Sequence, residues 1–174
     1  MIKIILTVLV VGSLCYASNP ASEELFIQGE AYRLQAHGQD SSKYLVMACY
    51  YFERAYKEDS TTSTLQEVYG NSLLGIKDTI NAISILKKSA YSYSSEKNWL
   101  KAFAIFKNLY DLTGNYADGA MLGLMIFNQG IETKDSLWLN KAVELWEKLS
   151  NRAQAKNDLK GLSQIQKIRS SVQK

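Results

Sequence analysis

The side chains that could do chemistry are few and poorly grouped. His37 is the only histidine and stands in QAHGQD at a helix end, where an imidazole serves as a solvated or capping group. H-E-x-x-H, G-x-S-x-G, C-x-x-C and a phosphate-cradling glycine loop are all missing, so metal-assisted and nucleophilic mechanisms lack their parts. Glu144 and Glu147 alternate with apolar positions and read as a solvated face. Gly119 and Gly123 read as a site of close helix packing. Cys49, between Ala48 and Tyr50, reads as a small inert thiol. The expectation is therefore a protein that is not an enzyme, with no catalytic residue, cofactor or metal.

Composition narrows the remaining classes. A chain of 174 residues is one domain's worth and can bury a real core. A single Pro favours a mostly helical chain. The formal charge of +3 is small, and residues 152–174 hold six Lys or Arg against Asp158 alone. Tyr50, Tyr51 and Phe52 lack the interleaved positive charge of a nucleic-acid platform, so no nucleic-acid partner is expected. Nor is a small-molecule substrate.

The first residues, MIKIILTVLVVGSLCYAS, place Lys3 before an apolar run from Ile4 to about Leu14, followed by small residues. This is the pattern of a signal peptide, residues 1–17, cleaved after Ala17. The run is shorter than the roughly 20 residues a spanning helix needs. Acylation at Cys15 and retention of the uncleaved segment as an anchor are the less favoured readings. With Cys15 removed, Cys49 has no partner for an internal disulfide, so the fold must rest on packing.

The elements that must position any site are helices. An apolar period of 3.6 residues recurs over 23–37, 43–58, 63–76, 79–93, 97–112, 117–131, 136–152 and 157–172, after a short extension at 18–22. Asp40–Ser42 and Asp135–Ser136 are helix starters, and DLTGN at 111–115 is a stop. Four of these eight helices share a motif: Ala142 with Trp146 and Leu149, Ala48 with Phe52 and Ala55, Ala82 with Leu86 and Ser89, and Ala102 with Phe106 and Leu109.

The motif resembles the tetratricopeptide-repeat superfamily, in which antiparallel helix pairs carry a Gly in the first helix and Ala-x3-large in the second. Tyr69-Gly70, Leu73, Ala82 and Leu86 fall in that order, and Ala48 to Ala82 spans 34 residues. Gly29 to Ala48 and Gly123 to Ala142 each span 19 residues, which is similar to the longer-looped Sel-like variant. The helix at 79–93 can close one unit or open the next. The resemblance implies an all-α fold, a right-handed α-solenoid of about eight antiparallel helices over 23–174, closed by a C-terminal capping helix.

What the resemblance implies about function is a concave groove lined by the first helix of each unit. Matching by register places Phe26, Glu30, Arg33, Glu67, Asn71, Leu74, Lys87, Tyr91, Leu124 and Phe127 in it. Its occupant would be a peptide or helix of another protein. Asn71 matches the Asn of the family's carboxylate clamp, but Glu67 stands where that clamp has its Lys. The expected role is an exported adaptor or assembly factor for a periplasmic or envelope machine such as a secretion or pilus system. The alternative is a secreted effector or regulator that binds a host or competitor protein. Any membrane contact of the processed chain falls to the basic C-terminal helix.

Overall fold

A computed structural model describes residues 19–36 and 41–172. The signal segment with Cys15, His37, and Asp40 lie outside the described residues. Within them the chain is all helical and repeat-like: α1 Pro20–Gln35, α2 Ser41–Glu58, α3 Ser63–Gly75, α4 Thr79–Ser95, α5 Trp99–Thr113, α6 Tyr116–Thr133, α7 Ser136–Ala155 and α8 Leu159–Ser170. The first helix starts three residues before the expected boundary, so residues 20–22 belong to it. The cause is local: Asn19 accepts from the Ala21 N–H at 2.9 Å, and Pro20 brings a φ already suited to the first helical position.

Four of the helix junctions follow one recurrent corner. At Lys77-Asp78, Lys97-Asn98, Lys134-Asp135 and Asn157-Asp158 the first residue takes a positive φ, between 54° and 66°, and ends a helix. The second residue then closes the old helix and opens the new one. Asp135 N–H donates to the Gly130 carbonyl at 3.0 Å while its carboxylate accepts from the Leu137 N–H at 2.8 Å. Asp158 repeats this with the Ala153 carbonyl and the Gly161 N–H. Packing two caps into two residues removes the need for a linker.

The sequence motif accounts for the core. Ala48, Phe52, Ala55, Ala82, Leu86, Ser89, Ala102, Phe106, Leu109, Ala142, Trp146 and Leu149 are all buried. Backbone contacts divide the chain within α4, with one compact unit ending at Ser89 and the second beginning at Ala90. The sequence reading expected a single repeat domain there.

In the first unit, a Cβ added to Gly29 would fall 2.5 Å from Cε1 of Phe52, and one added to Gly70 would fall 2.7 Å from Cγ of Leu86. Glycine therefore lets the large residue of the motif press on the preceding helix. Seven residues before these glycines stand Ser22 and Ser63, and seven after the motif's alanines stand Ala55 and Ser89. Ser22 Oγ donates to the Ala55 carbonyl at 3.0 Å, whereas Ser89 Oγ donates to the Ser63 carbonyl at 2.8 Å. The same two positions thus make one buried bond with the donor exchanged, and each hydroxyl is satisfied where an unpaired one would be costly.

In the second unit, Gly119 lies against Tyr110 and Leu149, Gly123 against Trp146, and Gly130 against Leu139. Helix α8 packs on α6 and α7, burying Ile165 with Trp146, Leu149 and Ala153, and setting Leu162 and Ile168 against the same core. Gly161 admits the Tyr116 ring. Ala90, fully buried, stands twelve residues before Ala102, as Gly70 does before Ala82. Within helix α4, Leu86 packs against Gly70 in the first unit, and Tyr91 meets Phe106 in the second.

Candidate functional site

The ten groove residues do not share one environment. Phe26 is a correction to the sequence reading: it is 7% exposed and packs with Ala48, Phe52, Ala55 and Leu65, its ring 5.6 Å from that of Phe52. The residue is a core group because the apolar face of α1 extends one turn before Gly29. Glu30 and Arg33 spend their charges on each other, with Nε to Oε1 at 2.8 Å and Nη2 to Oε2 at 2.6 Å. That bond holds the Arg33 guanidinium above its usual basicity. Asn71 is exposed, Glu67 and Lys87 are half-buried, and Leu74 leans on the cluster of Cys49, Leu73, Ala82 and Ile85.

The three residues in the second unit are better placed to receive a partner. Tyr91 is 52% exposed, yet its ring is held edge-on by Phe106 at 5.4 Å, so it presents a fixed aromatic surface. Leu124 and Phe127 are partly buried against the core, and the Phe127 ring lies 6.0 Å from Trp146. They rest on a rigid floor, because Trp146 is buried and donates its indole N–H to the Ala120 carbonyl at 3.0 Å.

Continuing along α6 by the helical step, Leu124, Phe127, Asn128 and Ile131 form one stripe. The stripe ends in an open cleft of about 310 Å³ lined by Lys97, Trp99, Asn128, Ile131 and Glu132. Ile131 is 57% exposed, and the Trp99 indole N–H donates to the Glu132 carboxylate. That bond ties the first residue of α5 to the last turn of α6 and orients the indole. The sequence reading stopped at Phe127 and missed Asn128, Ile131, Trp99, Glu132 and Lys97. Counting four and seven residues on from Leu124 would have found two of them. Lys97 and Trp99 are brought in by the corner that turns α4 into α5, and Glu132 follows Ile131 in the last turn of α6.

Chemically this surface can bury an apolar side chain and orient a polar backbone beside it, using Asn128 and the ammonium of Lys97. Among the described residues no cluster of His, Cys, Asp and Glu converges as a metal site would. Cys49 is buried, and burial, with Glu53 and Asp78 adding, pushes its thiol up to about 11, so it is a poor nucleophile at neutral pH. No protein-family model matches the chain, and no curated protein matches it.

Proposed function

We propose that this chain is a non-catalytic protein-interaction module built as a right-handed solenoid of antiparallel helix pairs, of the kind found in tetratricopeptide repeats. The pairing is supported by the order of contacts: Gly119, Gly123 and Gly130 ascend α6 while Leu149, Trp146 and Leu139 descend α7. The observation that carries the functional reading is the stripe Leu124, Phe127, Asn128 and Ile131 leading into the Trp99 cleft. It puts partly exposed apolar anchors and orienting polar groups on the first helix of a repeat, the mixture that binding hot spots use. The occupant is a peptide or helix of another protein, and the role is that of an exported adaptor or assembly factor in a periplasmic or envelope assembly.

Affinity capture with the full chain, followed by mass spectrometry, tests this reading. A protein retained by wild type and lost with Ile131→Asp supports the stripe as the binding face. Equal retention by both removes it. Cell fractionation then separates an adaptor, which stays with the envelope, from an effector released to the medium.

A further inference from the structure

The apolar face of α8 is occupied, so this helix cannot lie in a bilayer on that face. Gly161 and Ile165 are buried, and Leu162 and Ile168 pack on the core formed with α6 and α7. What α8 and the end of α7 leave outward is positive charge. Lys148, Arg152 and Lys156 follow one another at four-residue steps and so share a face of α7 and its C-cap. Lys148 and Arg152 line one shallow depression together. Lys156 and Lys160 line the next, an open cleft of about 420 Å³ walled by Thr113, Asn115 and Gln164. Lys167 continues from Lys160 two turns along α8.

The five cations of this track, Lys148, Arg152, Lys156, Lys160 and Lys167, outnumber the four acids near it, Glu144, Glu147, Asp118 and Asp158. Asp158 uses its carboxylate to cap the Gly161 N–H at 2.8 Å. Asp118 is buried, at 3.4 Å from Thr113 Oγ1. Glu144 and Glu147 line the same depression as Lys148 and Arg152 and offset part of their charge. Arg152 donates to the neutral hydroxyl of Tyr110 at 3.2 Å, which leaves its charge in place. Between Lys156 and Lys160 stands Leu159, 78% exposed at the corner.

We propose that the track Lys148, Arg152, Lys156, Lys160 and Lys167 docks the protein on an anionic lipid surface, with Leu159 entering the headgroup layer. A row of ammonium and guanidinium groups with an apolar side chain projecting between two of them matches the chemistry of a bilayer surface, which is negative at the headgroups and apolar just beneath. A nucleic acid is the weaker fit, because the aromatic rings beside the track, Tyr110 and Tyr116, pack into the core and do not stand free to stack on a base. The contact is peripheral, since among the described residues no helix is long and apolar enough to cross a membrane. This surface is independent of the α6 stripe, and either can fail without the other.

The test is cosedimentation of the protein, isolated as cells process it and with its mass determined, with phosphatidylglycerol–phosphatidylcholine vesicles and with phosphatidylcholine alone. Expected are binding to the anionic vesicles only, a loss of at least about tenfold with Lys156→Glu/Lys160→Glu, and a smaller loss with Leu159→Ser. High salt should release the protein, since screening shortens to about 3 Å near 1 M. All three side chains are exposed, so circular dichroism and melting should match wild type; should the double variant fail to fold, Lys167→Glu and Leu159→Ser decide instead. Equal binding to both vesicle types, no binding to either, or wild-type binding by the variants overturns the proposal. So does release by inorganic phosphate at low millimolar concentration, which would mark a free-anion site, or tighter binding to polyglutamate or single-stranded DNA than to the vesicles.

Discussion

Gly123 lies under the indole of Trp146 so closely that a Cβ there would come within 2.8 Å of Cε2. Helix propensity alone favours Gly→Ala by about 1 kcal/mol. Overpacking a filled core costs about 1 to 3 kcal/mol, and the indole is fixed by its bond to the Ala120 carbonyl and cannot yield. The clash should therefore win. Gly123→Ala is expected to lower stability in urea unfolding, and a stabilised variant would show that α6 and α7 pack differently.

The motif alanine makes the converse case. Ala142 is fully buried, so Ala142→Leu should destabilise by about 1 to 3 kcal/mol, and Trp146→Ala, which empties the centre of the same core, by about 3 to 5 kcal/mol. Thermal melting followed by circular dichroism reads both. Val143, next along the chain but on the outer face, serves as the control: Val143→Ala should stay within about 0.5 kcal/mol of wild type.

These residues also show what was legible beforehand. Helix number and the buried motif could be read because each rests on a period of 3.6 and on side-chain size, which are local properties. Asp135 reads as a helix starter, but the left-handed residues of the corners were missed, because Lys77, Lys97 and Lys134 adopt a conformation that sequence signals assign to Gly or Asn. Their left-handed φ is stabilised by the cap that follows, a pairing of two helices that neither helix reveals. Phe26 was misplaced for a related reason: repeat register says which helix lines a groove, but burial depends on how far the next helix extends over it. Trp99 and Glu132 stand 33 residues apart and meet only through the folded path from α5 to α6.

At the corner itself, Lys134 has φ 54°, a conformation costly for any side chain. Lys134→Gly should raise stability by about 0.5 to 1 kcal/mol, and Lys134→Val should lower it, because a β-branched residue tolerates that φ least. Asp135→Ala should cost about 1 kcal/mol through the lost cap. Melting temperatures of the three variants check the order.

Alkaline pH should loosen the first unit. The Cys49 thiol is raised from 9.0 to about 11 and the nearby Tyr69 hydroxyl from 10.0 to about 12, in both cases by burial first and by Glu53 next. Between pH 9 and 11 the unfolded chain releases the thiol proton while the folded chain keeps it. The unfolded state then binds fewer protons, so stability falls as pH rises through that window. Urea midpoints at pH 8 to 11 should decline more steeply for wild type than for Cys49→Ala, and a parallel decline would contradict the buried thiol.

The α6 stripe predicts a separation between binding and folding. Ile131 is mostly exposed and touches the core least, so Ile131→Asp should abolish retention of a captured partner while leaving the melting temperature within a few degrees of wild type. Trp99→Ala removes an aromatic wall of the cleft, and truncating such an anchor costs on the order of 2 kcal/mol of binding or more. Tyr91→Ala should weaken binding with little loss of fold, although the edge contact to Phe106 makes it less silent than Ile131. Phe127→Ala should do both, because its ring also packs on Trp146. Glu132→Gln keeps an acceptor for the Trp99 indole and should bind nearly as wild type, whereas Glu132→Ala frees the indole and should weaken binding without a new charge at the site. Titration of the captured partner against these five positions reads the pattern. If Ile131→Asp and Trp99→Ala both bind normally, the partner is held elsewhere and the stripe is ordinary surface.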